Sequence, residues 1–215
     1  MVSALLLADG RTPSGAHAHS AGLEAAVSDG LRATEVPSFL DGRLRTVAFS
    51  EAALTAAAVR VGADVDALLA LDAEALARTP SPQLRAAATA LGRAILRTGA
   101  QLYPEATEIT DYRARSAATP RPVAFGVVAA AAGLTASDAA LVALYDDAAT
   151  VAAAAVKLLP IDAGVANGWI AQRAHQLASL AQAAAEAQEL PSLSAPLVEL
   201  RSLAHGPDRG RLFAS

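Results

Sequence analysis

Serine and histidine side chains near the start of the chain form the first pattern that could do chemistry. The stretch Ala18-His19-Ser20-Ala21-Gly22 partly matches the nucleophile elbow of serine hydrolases, in which a strand-to-helix turn presents the serine above a parallel sheet. His175 or His205 could act as the base, so a serine hydrolase that uses Ser20 is one alternative. A loop rich in proline and glycine precedes this serine, however, and we therefore expect Ser20 to cap a helix that starts at Ala21.

The histidines at positions 17 and 19 form a second candidate, a His-x-His pair. Imidazole is a suitable ligand for Ni²⁺ or Zn²⁺, and the carboxylates of Asp9 and Glu24 could complete a coordination shell. Two histidines with this spacing converge on one metal only in an extended segment, so packing at a surface or interface is the commoner explanation. A histidine-based nickel carrier that uses His17 and His19 is the second alternative.

The single lysine of the chain, Lys157, lies in the otherwise apolar segment 152–160. Near the C-terminus of a predicted helix, its charge would interact favourably with the helix dipole. Asp146 and Asp147 lie about 16 Å further up the same helix at 1.5 Å per residue, too far away to pair with it. The residues leave two interpretations open: a lysine that stabilises the helix end, and a charge retained for a partner protein.

Composition favours a helical protein. The chain has 215 residues, a formal net charge of −4 and no cysteine, which excludes disulfide scaffolds, iron–sulfur clusters and catalytic thiols. The net charge is negative and the basic residues form no stripe, which argues against nucleic-acid binding. About a quarter of the residues are alanine and only 4% are aromatic, and alanine is the best helix former but a poor strand former. We therefore predict an all-α fold, a single domain over residues 1–215 built as a bundle of about eight to ten helices.

Capping residues and prolines indicate where helices begin and end. Ser81 is a candidate N-cap of a long helix, Asp66 of the helix before it, and Thr135 with Asp138 has the spacing of a capping box. The segment 123–160 carries few charges, which predicts two central helices covered on most sides. No segment resembles an export signal or a membrane span, so we expect a soluble, intracellular protein.

Several segments of the chain resemble the UreF family of urease accessory proteins. The stretch 7–24 is similar to the N-terminal signature of that family. Two further stretches, Val156-Lys157-Leu158-Leu159-Pro160 and Arg211-Leu212-Phe213-Ala214-Ser215, are similar to its late and terminal motifs. Between the N-terminal signature and the late motif, the segment Pro122-Val123-Ala124-Phe125-Gly126 also matches the family, and the pieces occur in the family's order. The resemblance therefore spans nearly the whole chain.

This resemblance implies a non-catalytic homodimer with an all-α fold that acts in urease maturation. In such a role the protein binds the scaffold UreD, also called UreH, and recruits the GTPase UreG, and the assembly docks on apo-urease so that nickel can be inserted. The resemblance implies no cofactor of the chain's own, because nickel is handled by the complex, and it leaves weak nickel binding open. It further implies a cytoplasmic protein with neither nucleic-acid nor membrane partners.

Individual residues match the family motifs and are the expected partner-binding positions. They are Pro13, Gly15, His19, Ser20, Gly22, Glu24, Lys157, Pro160, Arg211, Leu212, Phe213 and Ser215. His17 stands where the signature usually has an aromatic residue, and with His19 it forms the candidate metal ligand set. The segment 161–164 also departs from the family pattern that follows Pro160.

Overall fold

The computed structural model describes residues 2–10, 12 and 19–204, and this part of the chain contains α-helices and no β-strand. Its first six helices are α1 (Val2–Ala8), α2 (Leu23–Ser28), α3 (Val36–Leu44), α4 (Val47–Val61), α5 (Val65–Ala77) and α6 (Pro82–Leu102). Six more follow: α7 (Thr107–Arg115), α8 (Arg121–Ala131), α9 (Ala136–Leu158), α10 (Ala163–Gln172), α11 (Ala174–Glu186) and α12 (Pro196–Ala204). The predicted all-α fold is confirmed.

Of the helix caps predicted at Ser81, Asp66 and Thr135, two are in place. Ser81 Oγ accepts a hydrogen bond from a first-turn N–H of α6 at 3.3 Å, and Thr135 Oγ1 does the same for α9 at 3.1 Å. At α5 the prediction was wrong, because Asp64 rather than Asp66 accepts the first-turn bond. Asp64 has the extended backbone that an N-cap needs, whereas Asp66 already lies in the first helical turn.

The described residues form more helices than the eight to ten expected, because some helices are short and one helical stretch is divided. After Asp162 the chain forms α10 and α11, which meet at Arg173. The Arg173 guanidinium donates to both carboxylate oxygens of Asp41 in α3 at 2.7 and 2.8 Å. It also donates to the backbone carbonyls of Trp169 and Pro37. Arg173 thereby joins both helices to α3 where regular helix is interrupted.

The hydrophobic core is organised around α4 and α9. On one side these two helices pack with α2, α3, α10 and α11, and on the other side with α5, α6, α7 and α8. Gly126 of α8 lies so close to α4 that a Cβ there would be 2.5 Å from the Cβ of Ala58. Small side chains thus allow the helices to pack at short range. The prediction that the two helices of segment 123–160 are central is confirmed.

Within the described residues, α9 is the one helix that is long and apolar enough to cross a membrane by length and composition. Of its most apolar stretch, 61% is buried inside the fold. One such helix is weak support for a membrane span, because the core helices of soluble proteins have the same length and composition. The packing of α9 identifies it as a central core helix.

Candidate functional site

The described part of the N-terminal signature begins at His19 and turns sharply into α2. Ala21 and Gly22 both have positive φ angles, 54° and 82°, in the left-handed region. Ser20 is fully buried, and its Oγ accepts a hydrogen bond from the Glu24 N–H at 3.3 Å. The predicted N-cap was wrong in position, because Gly22 is the N-cap of α2, although the Ser20 hydroxyl still accepts a bond from the first turn. The helix starts two residues later than Ala21, because the left-handed turn occupies those positions.

Burial removes the Ser20 hydroxyl from contact with a substrate. A serine nucleophile of the elbow type is exposed at a strand-to-helix turn, whereas this turn joins a loop to a helix in a chain whose described part has no strand. His175 lies on the exposed side of α11, and His205 lies outside the described residues. Ser20 is thus a buried residue whose hydroxyl bonds the first turn of α2 from a position just before the N-cap.

Arg43 of α3 connects the signature turn to the core. Its Nε and Nη2 atoms donate to both carboxylate oxygens of Asp147 in α9 at 2.7 to 3.0 Å, and its Nη1 donates to the carbonyl oxygen of Ala21 at 3.1 Å. The Asp147 side chain is buried, and the Arg43 side chain is only 11% exposed. Burial opposes the charge of Arg43, but the attraction of Asp147 outweighs it and raises the pKa of the guanidinium. Arg43 therefore stays charged and links α3, α9 and the turn.

Arg121, the first residue of α8, forms a second set of ion pairs, which are partly buried. Its Nη1 donates to Glu51 Oε2 in α4 at 2.8 Å, and its Nη2 donates to Asp146 in α9. Although burial opposes its charge, the surrounding carboxylates raise the pKa of Arg121. We call Arg43, Glu51, Arg121, Asp146 and Asp147 the ionic cluster. It brings two positive and three negative side chains together beneath the signature.

His19 and the ionic cluster line the same cleft, which has a volume of about 140 Å³. Burial and the positive charge of Arg121 lower the pKa of His19, so its imidazole is neutral near pH 7. A neutral imidazole has a nitrogen that can bind a metal. Among the described residues, no group of three or more histidine, aspartate or glutamate side chains is placed to hold a metal ion. The pairing of His19 with His17 stays a prediction, since His17 lies outside the described residues.

The C-terminal segment, defined here as residues 187–204, supplies part of the cleft wall. Arg78, which directly follows α5, donates to the carbonyl oxygens of Leu190 and Pro191 at 3.0 and 2.9 Å. The Ser50 hydroxyl of α4 donates to the Leu193 carbonyl at 3.2 Å and accepts from its N–H at 3.3 Å. These side chains satisfy backbone groups in a stretch that has no regular secondary structure. The segment is thus held against α4 and α5.

Helix α12, at the end of this segment, lies against the signature turn. A Cβ on Gly22 would lie 3.0 Å from Val198 Cγ1, which is tighter than ordinary packing. Asp29, which follows α2, accepts a hydrogen bond from Arg201 at 2.7 Å. Helix α12 therefore packs directly on the N-terminal signature.

Lys157 and Pro160 do not line the cleft. Lys157 is exposed in the last turn of α9, and Pro160 is exposed just beyond the helix end. Lys157 follows Asp147 by ten residues, or about 15 Å along the helix. Its position suits the helix dipole and its exposure suits a partner, so both interpretations stay open.

The described signature positions therefore lie at the turn and the start of α2, whereas the late motif lies at the C-terminal end of α9. The remaining partner-binding positions lie outside the described residues: Pro13, Gly15, Arg211, Leu212, Phe213 and Ser215. The partner-binding roles of all twelve positions stay predictions.

The ionic cluster is a feature that the sequence reasoning missed. Its members come from four helices, and Arg43 and Asp147 are 104 positions apart. One signal is present in the sequence, because Arg121 places a positive charge at the start of an apolar helix, where the helix dipole disfavours it. Such an arginine requires carboxylates nearby, and Asp146 and Asp147 lie in the middle of the neighbouring apolar helix.

Comparisons with known proteins agree with one another. A sequence model of the family described as UreF matches residues 32–174. The urease accessory protein UreF of Mycolicibacterium vanbaalenii is 37% identical over 219 aligned residues, which cover 100% of this chain and 99% of that protein. The urease accessory protein UreF of Mycobacterium marinum is 37% identical, and that of Mycobacterium tuberculosis (strain CDC 1551 / Oshkosh) is 32% identical. Both alignments cover 98% of this chain and 97% of the relative.

Proposed function

Because the chain belongs to the UreF family of urease accessory proteins, we propose that it is required for urease maturation, in which nickel is inserted into the apo-enzyme. It acts as an adaptor that binds the UreD (UreH) scaffold, recruits the GTPase UreG and docks with them on apo-urease. It is a cytoplasmic homodimer without catalytic activity of its own. Nickel is the cargo of the assembled complex rather than a resident cofactor of this chain.

The observation that carries this proposal is similarity over the whole chain. At 37% identity the alignment with the Mycolicibacterium protein covers 100% of the chain. The N-terminal signature, the late motif and the terminal motif therefore all lie within the matched region. A shared function is better supported by this arrangement than by one isolated motif.

Exposed apolar side chains on α12 suit an adaptor. Leu197, Leu200 and Leu203 recur every three residues and are 64%, 60% and 53% exposed, while Val198 on the same helix contacts the signature turn. Apolar groups that cluster on a protein surface are typical of sites that bind other proteins. We propose that the UreD scaffold contacts this side of α12 together with the signature and the terminal motif 211–215.

Co-expression with the partner proteins tests the proposed function. The tagged chain should co-purify with UreD and UreG and should restore nickel-dependent urease activity in cells that lack their own UreF. A chain that binds neither protein and restores no activity would contradict the proposal. Removing residues 209–215 should abolish co-purification while helix content is retained, and an undiminished complex would show that the terminal motif is not a contact.

The two alternative functions make different predictions. A hydrolase would react with a fluorophosphonate probe at Ser20, and a histidine-based carrier would bind Ni²⁺ stoichiometrically through His17 and His19 in calorimetry. We expect neither result. Ser20 is fully buried, and an adaptor needs no resident metal.

A further inference from the structure

We propose that Arg43 and Asp147 are positioning residues that hold the turn at Ala21 and Gly22 in the shape that the partner protein recognises. The proposal rests on the adaptor function given above, and it names the core interaction on which the partner-binding surface depends. Neither Arg43 nor Asp147 belongs to the motifs that carry the family resemblance.

The Arg43 guanidinium is held in one orientation. Asp147 accepts hydrogen bonds through both carboxylate oxygens at 2.7 to 3.0 Å, which is a bidentate arrangement. The guanidinium is planar and rigid, so fixing one of its edges on Asp147 also fixes the direction of Nη1. That atom donates to the Ala21 carbonyl at 3.1 Å. The central helix α9 thereby sets the position of the turn.

The turn needs this support because its backbone conformation is unfavourable. Ala21 has a φ of 54°, in a region where a residue with a Cβ is disfavoured. Its carbonyl oxygen is partly buried where it meets Arg43. Without that donor, the oxygen would be a poorly satisfied acceptor. The bond from Arg43 therefore favours the left-handed turn over relaxed alternatives.

The same turn determines where α12 lies. Val198 packs on the turn so closely that a Cβ added to Gly22 would lie 3.0 Å from its Cγ1. A shift of the turn would therefore displace α12 as well as the signature. One ion pair in the core thus controls two surfaces that the proposed function assigns to the UreD scaffold.

A second ion pair in the same fold provides a matched control. Arg173 and Asp41 also form a bidentate pair, with bonds of 2.7 and 2.8 Å, and Arg173 also donates to backbone carbonyls. Both pairs involve α3, but this one joins it to α10 and α11 rather than to the signature. Loss of the Arg173 pair should lower stability without moving the turn.

The experiment compares Arg43→Lys with Arg173→Lys in the full-length protein. Lysine retains the charge but lacks the guanidinium fork, so it cannot bond Asp147 and Ala21 in the same way. In Arg43→Lys we expect amide hydrogen exchange of residues 20–28 to accelerate about tenfold and affinity for purified UreD to fall about tenfold. Arg173→Lys should leave both measurements at wild-type values while lowering the denaturant midpoint.

Wild-type exchange rates in Arg43→Lys would overturn the proposal, and so would an equal loss of UreD affinity in both lysine variants. If the wild-type protein binds no UreD, the proposed function fails, and hydrogen exchange of residues 20–28 still decides whether the pair positions the turn. If Arg43→Lys does not fold, Asp147→Asn, which has nearly the same shape, takes its place in both measurements.

Discussion

Glu199 in α12 accepts a hydrogen bond from the backbone N–H of Ser81, the N-cap residue of α6, at 2.9 Å. Ser202, one turn further along α12, donates to the Ser81 hydroxyl at 2.7 Å. The carboxylate also lies at the positive end of the α6 dipole, where a negative charge is favourable. Helix α12 is therefore anchored on a helix start 118 positions earlier in the chain.

Replacing Glu199 with alanine should loosen α12. Loss of this hydrogen bond is expected to lower the free energy of unfolding by about 1 kcal/mol and to accelerate amide exchange in residues 196–204. Urea denaturation and hydrogen exchange measure the two effects. Glu189→Ala, which removes an exposed carboxylate from the same C-terminal segment, serves as the control. Unchanged exchange in α12 after Glu199→Ala would contradict the anchoring role.

Substitutions at two glycines with positive φ angles distinguish the effect of backbone strain from the effect of contact with α12. Gly22 and Gly30 have φ angles of 82° and 100°, but only Gly22 has a neighbour, Val198, within 4 Å of an added Cβ. Alanine at either position should cost about 1 kcal/mol of stability, because a Cβ is disfavoured in the left-handed region. Only Gly22→Ala should also weaken UreD binding in a pull-down. An equal loss of binding in both variants would mean that the Val198 contact is irrelevant to the surface.

The lowered pKa of His19 predicts a loss of stability in mild acid. Burial and the charge of Arg121 make the folded chain bind this proton at lower pH than the unfolded chain does. The contribution of neutral His19 is therefore complete above the unfolded pKa of about 6.5 and is lost as the pH falls through the folded value. His19→Gln should make the free energy of unfolding less dependent on pH below about 6.5.

Urea denaturation of wild type and His19→Gln at a series of pH values tests this prediction. His175→Gln, a change on the exposed side of α11, is the control and should follow the wild-type curve. Identical pH dependence in wild type and His19→Gln would show that the imidazole of His19 does not contribute.

Substitution of Lys157 distinguishes its two interpretations. If the charge is retained for a partner, Lys157→Ala should keep the helix content measured by circular dichroism but lower nickel-dependent urease activation in cells. If the charge only favours the helix end, the loss should be confined to about 0.3–1 kcal/mol of stability. Lys157→Arg keeps the charge and should activate urease more than the alanine variant does. Normal activation with alanine would remove Lys157 from the partner-binding positions.

Local features of this fold could be predicted from the sequence, whereas the pairing of distant charges could not. Ser81 and Thr135 bond N–H groups three residues ahead of them, so their spacing alone identifies the caps. At the start of α5 two aspartates compete, and spacing does not decide between them. The pair of Arg43 and Asp147 depends on how α3 crosses α9, a packing angle that no local pattern contains.

The contact between Gly22 and Val198 has the same origin. Both positions can be read as parts of a turn and a short helix, but their meeting depends on the path of the C-terminal segment across α4 and α5. The signature could therefore be recognised from its residue types, while the helix that covers it could not.

The exposed position of Lys157 at the end of α9 makes this chain unusually suitable for chemical mapping. Its other sixteen cations are arginines, whose guanidinium groups do not react with succinimide esters, so such reagents have a single side-chain target in the whole sequence. A bifunctional ester would link through that side chain or through the α-amine of the chain, and each link at Lys157 would identify a neighbour within the length of the spacer. Cross-linked peptides from an assembled complex would therefore measure distances from a known origin on the fold.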